Sequence, residues 1–154
     1  MNTFEELRYL IKAADKEGEL HYANLLKPYN ITPSQNEILK ILSVKDGLSI
    51  SQIGDLLICG SDNPSRLVER LLSKAFIEKR KDPNDARMSN IFITEKGSAL
   101  LEQTSVIEQS FNDHIAQTLQ DKIDVAQLID VLKVQVDGTK TLAQIHARKS
   151  LAIE

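Results

Sequence analysis

The chain has 154 residues, 42% of them hydrophobic and 27% charged, with a formal net charge of −3 and a single cysteine. That composition fits one soluble globular domain, and a chain of this charge is no strong nonspecific binder of polyanions as a monomer. The lone Cys59 excludes an intramolecular disulfide or a cysteine-built zinc site; no apolar run nears the ~20 residues of a membrane span; and the acidic start, Met1-Asn2-Thr3-Phe4-Glu5-Glu6, lacks a signal pattern, so the cytoplasm is expected.

Phe4, Leu7, Leu10, Ile11 and Ala14, then Leu25 and Leu26, recur at helical spacing and predict a first helix from about Thr3 to Leu26. Pro28 and Asn30 break it. Thr32-Pro33-Ser34-Gln35 is a helix start: the Thr32 hydroxyl can accept a backbone N–H, Gln35 can reach back, and proline suits the first helical position. Ile38, Leu39, Ile41 and Leu42 supply that helix's apolar face, and Asp46-Gly47 ends it. Ser49-Ile50-Ser51-Gln52 repeats the capping pattern for a short helix carrying Ile53, Leu56 and Leu57.

After Cys59-Gly60-Ser61, a helix is predicted from about Asp62 to Lys74, with Pro64 tolerated in its first turn. Leu67, Val68, Leu71 and Leu72 form its apolar face; Arg66 and Arg70 lie one turn apart on the other. Phe76–Lys79 and Asn90–Thr94 read as strands joined by a loop holding Pro83, Asn84 and Asp85. Thr94-Glu95-Lys96-Gly97 opens a long helix. A final helix is expected from near Asp121, running through Gly138 without interruption because the apolar phase persists across it.

Two short capped helices followed by a basic hairpin can place one helix in a major groove and the hairpin tip in a neighbouring minor groove. Charge distribution agrees modestly. Between Ser61 and Lys96 eight cations face six anions, a local net of +2, leaving −5 for the rest of the chain. The terminal helices carry more apolar surface than the small central module can cover, which predicts a symmetric dimer.

The segment Leu48-Ser49-Ile50-Ser51-Gln52-Ile53-Gly54-Asp55-Leu56-Leu57, then Ser65-Arg66-Leu67-Val68-Glu69-Arg70-Leu71, the hairpin Asp82-Pro83-Asn84-Asp85-Ala86-Arg87 and Ile93-Thr94-Glu95-Lys96-Gly97 together resemble the MarR (multiple antibiotic resistance regulator) family of winged helix-turn-helix regulators. The resemblance spans about Leu7 to Leu142. It implies a mainly α fold: a single MarR-type domain over 1–154, a DNA-binding lobe with a two-stranded wing at 30–97, and dimerisation helices at 1–27 and 98–154. It also implies an obligate homodimer, a recognition helix at about Asp62 to Lys74, a wing tip carrying Arg87, and an effector pocket for a small molecule between the dimer helices and the lobe. Two positions depart from the family pattern: Pro64, and Ala75 where a glycine usually follows the recognition helix. Ala75 argues against a left-handed backbone there.

The expected partner is double-stranded DNA, and the expected role is repression at an inverted-repeat operator. Asn63, Ser65 and Arg66 are assigned to base edges; Ser61, Arg70, Lys74, Lys79 and Lys81 to phosphates; Arg87 to the minor groove. Competing roles are ion pairs of Arg66 or Arg70 with Asp62, Glu69 or Glu78, and an Asp85–Arg87 pair that shapes the turn. Cys59, flanked by Ile58 and Gly60 with no adjacent cation, reads as a packing residue rather than a redox sensor. His21, His114 and His146 fall on different helices and suggest no metal site. No catalytic constellation or cofactor motif is present in the pattern, so an enzyme is not expected. The alternative function is a winged-helix protein-interaction module without DNA binding.

Overall fold

The structure is a computed structural model that describes residues 1–58, 63–83, 85 and 87–151. Helix α1 (Thr3–Leu26) runs through a 3-10 turn (Lys27–Tyr29) to α2 (Pro33–Val44), α3 (Ile50–Leu56) and α4 (Pro64–Ser73). Strands β1 (Ile77–Lys81) and β2 (Ser89–Ile93) follow, then α5 (Glu95–Leu119), α6 (Val125–Gln135) and α7 (Lys140–Leu151).

The helix starts follow the expected chemistry. Thr32 and Ser49 each accept the N–H three residues on, from Gln35 and Gln52, and each glutamine side chain returns to the cap's backbone. Such caps contribute about 1 kcal/mol apiece. Asn30, just past the 3-10 turn, takes a left-handed conformation (φ 54°) that asparagine tolerates.

One core joins α2, α3, α4 and the sheet. Ile38, Leu39, Ile41 and Leu42 meet Ile53, Leu67, Val68, Leu71, Ile77 and Ile91, with Leu26 and Leu100 closing it from α1 and α5. The two strands pair antiparallel, Ile77 opposite Ile93 and Lys81 opposite Ser89. Leu48 adds a single bridge to Ile91, a third rung that the sequence pattern did not reveal.

A buried polar chain ties the long helices to this core. Thr104 of α5 donates to Asn36 Oδ1 at 2.7 Å, and Asn36 Nδ2 donates to the Tyr22 hydroxyl at 3.0 Å. Burial, then the neighbouring Glu108, pushes the Tyr22 phenol up to about 12.

Three expectations are corrected. The last helix is two helices, not one: Gly138 sits at φ 70°, its N–H donating to Asp137 Oδ1, and Thr139 accepts from Leu142 N–H to start α7. A continuous apolar phase therefore survived a left-handed break. The preceding start lies at Asp124, whose carboxylate takes the N–H groups of Ala126 and Gln127, not at Asp121, which has φ 60°. Ala75 does adopt a left-handed backbone, φ 58°, despite its Cβ; the surroundings that hold it are described below.

Candidate nucleic-acid interface

Helix α4 begins at Pro64, with Asn63 as its cap: Asn63 Oδ1 accepts the Ser65 N–H at 2.9 Å. Pro64 occupies a position where no helical N–H is lost, and its ring lies against Gly54, so closely that a Cβ there would stand 3.1 Å from Pro64 Cγ. The unusual proline is thus matched to the glycine of the preceding helix. Leu67, Val68 and Leu71 are buried, which leaves Ser65, Arg66, Glu69 and Arg70 on the exposed face. Among the described residues Arg66 and Arg70 form no ion pair. Asp62, the expected partner of Arg66, Ser61, assigned to phosphate, and Cys59 all lie outside the described residues.

Lys74 is placed differently from its assigned role. Its ammonium donates to the Asn30 carbonyl at 2.6 Å and to Gln35 Oε1 at 3.4 Å, and burial, then the nearby Arg70, holds its pKa below the usual lysine value. It joins the C-terminal end of α4 to the turn before α2 instead of reaching outward.

That end of α4 is strongly constrained. Thr94 Oγ1 donates to the Ala75 carbonyl, Thr94 N–H to the Phe76 carbonyl, and Lys96 Nζ to the Lys74 carbonyl. Phe76 N–H reaches back to Leu71 O. These bonds supply what offsets the roughly 1–2 kcal/mol cost of a left-handed alanine. They also explain the Thr94-Glu95-Lys96-Gly97 segment as a unit, because a Cβ on Gly97 would stand 2.0 Å from the Phe76 carbonyl oxygen. The chemistry of the segment is a clamp on the base of the wing.

In the wing, Lys79 and Lys81 are exposed along one edge of β1. Arg80, two-sided with Glu78 and not assigned from sequence, points to the other face of the ribbon. It pairs with the Glu78 carboxylate and lies over the Phe92 ring, 4.3 Å from its centroid. The period of two would have separated Arg80 from its lysine neighbours, had register been known. At the tip, Asp82 accepts Asp85 N–H and Asn90 Nδ2, and Asp85 Oδ1 accepts the Arg87 backbone N–H at 2.9 Å. Asp85 therefore shapes the turn through the Arg87 main chain. The Arg87 side chain is exposed and forms no ion pair with a described residue. Asn84 and Ala86 lie outside the described residues.

A small helix with two arginines on its open face, neither in an ion pair among the described residues, beside a ribbon edged with cations, is an arrangement that can meet phosphates and base edges. Residues 31–89 match the family model described as MarR family. Over these residues the chain is similar to the MarR family. Over its length it is 26% identical to the HTH-type transcriptional regulator BilQ of Clostridioides difficile (strain CD3), covering 87% of this chain and 90% of that one. It is 27% identical to the HTH-type transcriptional regulator TtmR of Methylorubrum extorquens (strain PA1), over 93% of this chain and 69% of TtmR. In fold, the chain is similar to a cysteine-to-serine mutant of MarR from E. coli complexed with operator DNA (TM-score 0.75, 24% identity, 88% of this chain and 99% of that). It is likewise similar to a MepR–DNA complex of S. aureus (TM-score 0.73, 24% identity, 83% and 95%). The winged helix-turn-helix fold is thereby established.

Among the described residues no helix is long and apolar enough to cross a membrane. A cavity of about 270 Å³ opens between α1, α2, α5 and α7, lined by Tyr22, Asn36, Glu37, Lys40, Glu108 and Arg148.

Proposed function

We propose that this chain is a homodimeric repressor of the MarR type that binds an inverted-repeat operator in double-stranded DNA. The observation that carries this reading is Arg66 on the open face of α4, without an ion pair among the described residues, flanked by an exposed wing whose tip presents Arg87. Residues 30–97 form the DNA-binding lobe, and 1–27 with 98–154 supply the dimer contacts. Arg66 and Ser65 read base edges; Asn63 contributes only its amide N–H groups, since its oxygen caps α4. Arg70, Lys79, Lys81 and Ser61 hold phosphates, and Arg87 enters the minor groove. Lys74 is left out of that set. The chain acts in the cytoplasm and performs no catalysis. A small molecule that relieves repression would occupy the cavity beside Tyr22 and Arg148.

The dimer follows from what α1, α5 and α6 leave uncovered. Phe4 (82% exposed), Val106 (69%), Val131 (66%) and Val134 (78%) are apolar side chains facing water, and α6 buries no residue within the chain. A two-fold partner covers such faces with the same surface.

The test is selection from a random duplex library followed by footprinting. The expected product is an inverted repeat with half-site centres about 10 bp apart, bound with an affinity that falls steeply as salt rises. Recovery of no duplex, or binding without salt dependence, would give the protein-interaction reading its place.

A further inference from the structure

Helix α3 stops at Leu56 for a reason that lies outside the helix-turn-helix. In a longer helix the next bond would run from Ile58 N–H to the Gly54 carbonyl. Both halves of that bond are diverted. The Ile58 N–H donates to Glu37 Oε1 of α2 at 2.9 Å, across 21 residues. The Gly54 carbonyl instead accepts from Gln144 Nε2 of α7 at 3.2 Å, across 90 residues. Arg148, one helical turn further along α7, donates to the same Glu37 oxygen at 3.3 Å. The Glu37 and Arg148 side chains are only 18% and 19% exposed. Leu142 of α7 is buried as well, so the helix is seated and not merely nearby.

We propose that α7 terminates α3 from within the same chain, and that Glu37, Gln144 and Arg148 are positioning residues for the recognition helix. The inference rests on the DNA-binding reading above and deepens it. An α3 extended by one residue would carry Ile58 around the helix by about 100°. The connection to Asn63 and the cap of α4 would then start from a different place. Satisfying the two orphaned groups separately removes that alternative. Glu37 is the pivot because its carboxylate accepts both a main-chain N–H and a guanidinium, and bonds to a charged acceptor are the stronger kind. Gln144 supplies the donor for the carbonyl. The C-terminal helix therefore acts on DNA binding without approaching DNA. It hangs from α6 by the left-handed Gly138, so the helix bearing the uncovered apolar face and the helix that ends α3 are joined by a four-residue link.

The experiment uses the full-length protein with four variants: Glu37→Ala, Glu37→Gln, Gln144→Met and Arg148→Met. The first readout, without DNA, is exchange of the Ile58 amide by NMR. Glu37→Ala should speed it about tenfold or more, while Glu37→Gln, which keeps an acceptor for that N–H, should stay within about threefold of wild type. The second readout is affinity for a duplex selected by the wild type and for its scrambled counterpart. Glu37→Ala, Gln144→Met and Arg148→Met should each narrow the ratio of the two affinities by about fivefold or more at unchanged helicity and dimer mass. A general loss of packing would lower melting temperature but leave that ratio alone. Gln144→Met removes one neutral bond at nearly constant volume, so it reports even if a charge variant does not fold. Unchanged Ile58 exchange in Glu37→Ala, or an unchanged affinity ratio in folded Gln144→Met and Arg148→Met, would overturn the proposal. Failure of the wild type to select any duplex would instead sink the DNA-binding reading, and Ile58 exchange, read in Gln144→Met and Arg148→Met as well, would still decide whether α7 helps to end α3.

Discussion

In the proposed DNA complex, single side chains divide the interface into reading and holding. Arg66 sits in the first half of α4, exposed and unpaired among the described residues, whereas Lys79 sits on the wing edge. Arg66→Ala should cost ~1–3 kcal/mol on the selected operator and little on scrambled DNA. Lys79→Ala should weaken both duplexes about equally and reduce the salt slope by about one unit. Lys74→Ala should leave the slope unchanged, because its ammonium is committed to Asn30 and Gln35. Titrating each variant against both duplexes at several salt concentrations separates the three. An equal loss on both duplexes for Arg66→Ala would mean that α4 docks in another orientation. Ala75 offers a test of a different kind. Its left-handed backbone is held by Thr94 and Lys96 through the flanking carbonyls, against its own preference. Ala75→Gly should raise stability to urea by ~0.5–1 kcal/mol without altering DNA affinity, since glycine takes this conformation without strain. A lower stability would show that the unfolded-state entropy of glycine outweighs the relieved strain.

Among the elements, those defined by local chemistry were legible and those defined by contact were not. The capping boxes at Thr32 and Ser49 placed α2 and α3 to the residue, and the apolar spacing of α1 returned Thr3 to Leu26. The α6–α7 break was missed because helical phase reports which face is buried, not whether the backbone is continuous. Val136 and Leu142 lie on either side of a turn made by Asp137, Gly138 and Thr139, whose side-chain bonds could equally have capped nothing. The setting of Lys74 was not legible for a related reason. A cation at the end of a basic helix looks like a phosphate contact until the carbonyl of Asn30, 44 residues earlier, is seen beneath it. The Tyr22–Asn36–Thr104 chain was invisible in the sequence for the same cause: each member is on a different helix. It also makes a prediction. With its folded pKa raised to about 12 from an ordinary 10, Tyr22 binds its proton more tightly in the folded state. Its contribution is therefore complete below about pH 10 and lost as pH climbs through 10 toward 12. Tyr22→Phe removes the acceptor for the buried Asn36 amide and should cost ~1–3 kcal/mol at neutral pH. Urea denaturation from pH 8 to 11.5 should show the wild-type advantage shrinking with pH. An advantage that is constant across that range would mean Tyr22 titrates alike in both states.

At the scale of the whole molecule, the chain carries two regions of opposite character. The lobe, with α2, α3, α4 and the wing, gathers its apolar residues into one core within the chain, Val44, Ile58 and Met88 excepted. The first half of α1, the far half of α5 and all of α6 do not: Leu7, Leu10, Ile11, Ile115, Ile129 and Leu132 are each at least 42% exposed. Among the described residues the lobe core draws on α1 at Tyr22 and Leu26; in the proposed dimer the first three turns of α1 pack against the second copy. A dimer sets the spacing of two α4 helices, and one DNA turn of ~34 Å fixes the operator's half-site distance. Full-length protein should therefore sediment at twice the 17.3 kDa of the chain at micromolar concentration. Deleting residues 1–14 takes away Phe4, Leu7, Leu10 and Ile11 while leaving the α6 face in place without its cover. That variant should aggregate or unfold in large part, measured by light scattering and far-UV circular dichroism. Leu10→Asp, which leaves the helix intact and places a charge in the apolar stripe, should shift the wild-type dimer toward monomer and lower operator affinity more than scrambled affinity, because one lobe can hold phosphates but only two in register can span the repeat. A deletion variant that is soluble, monomeric and fully helical would sink the proposed interface, and a Leu10→Asp protein that remains dimeric would move it off α1.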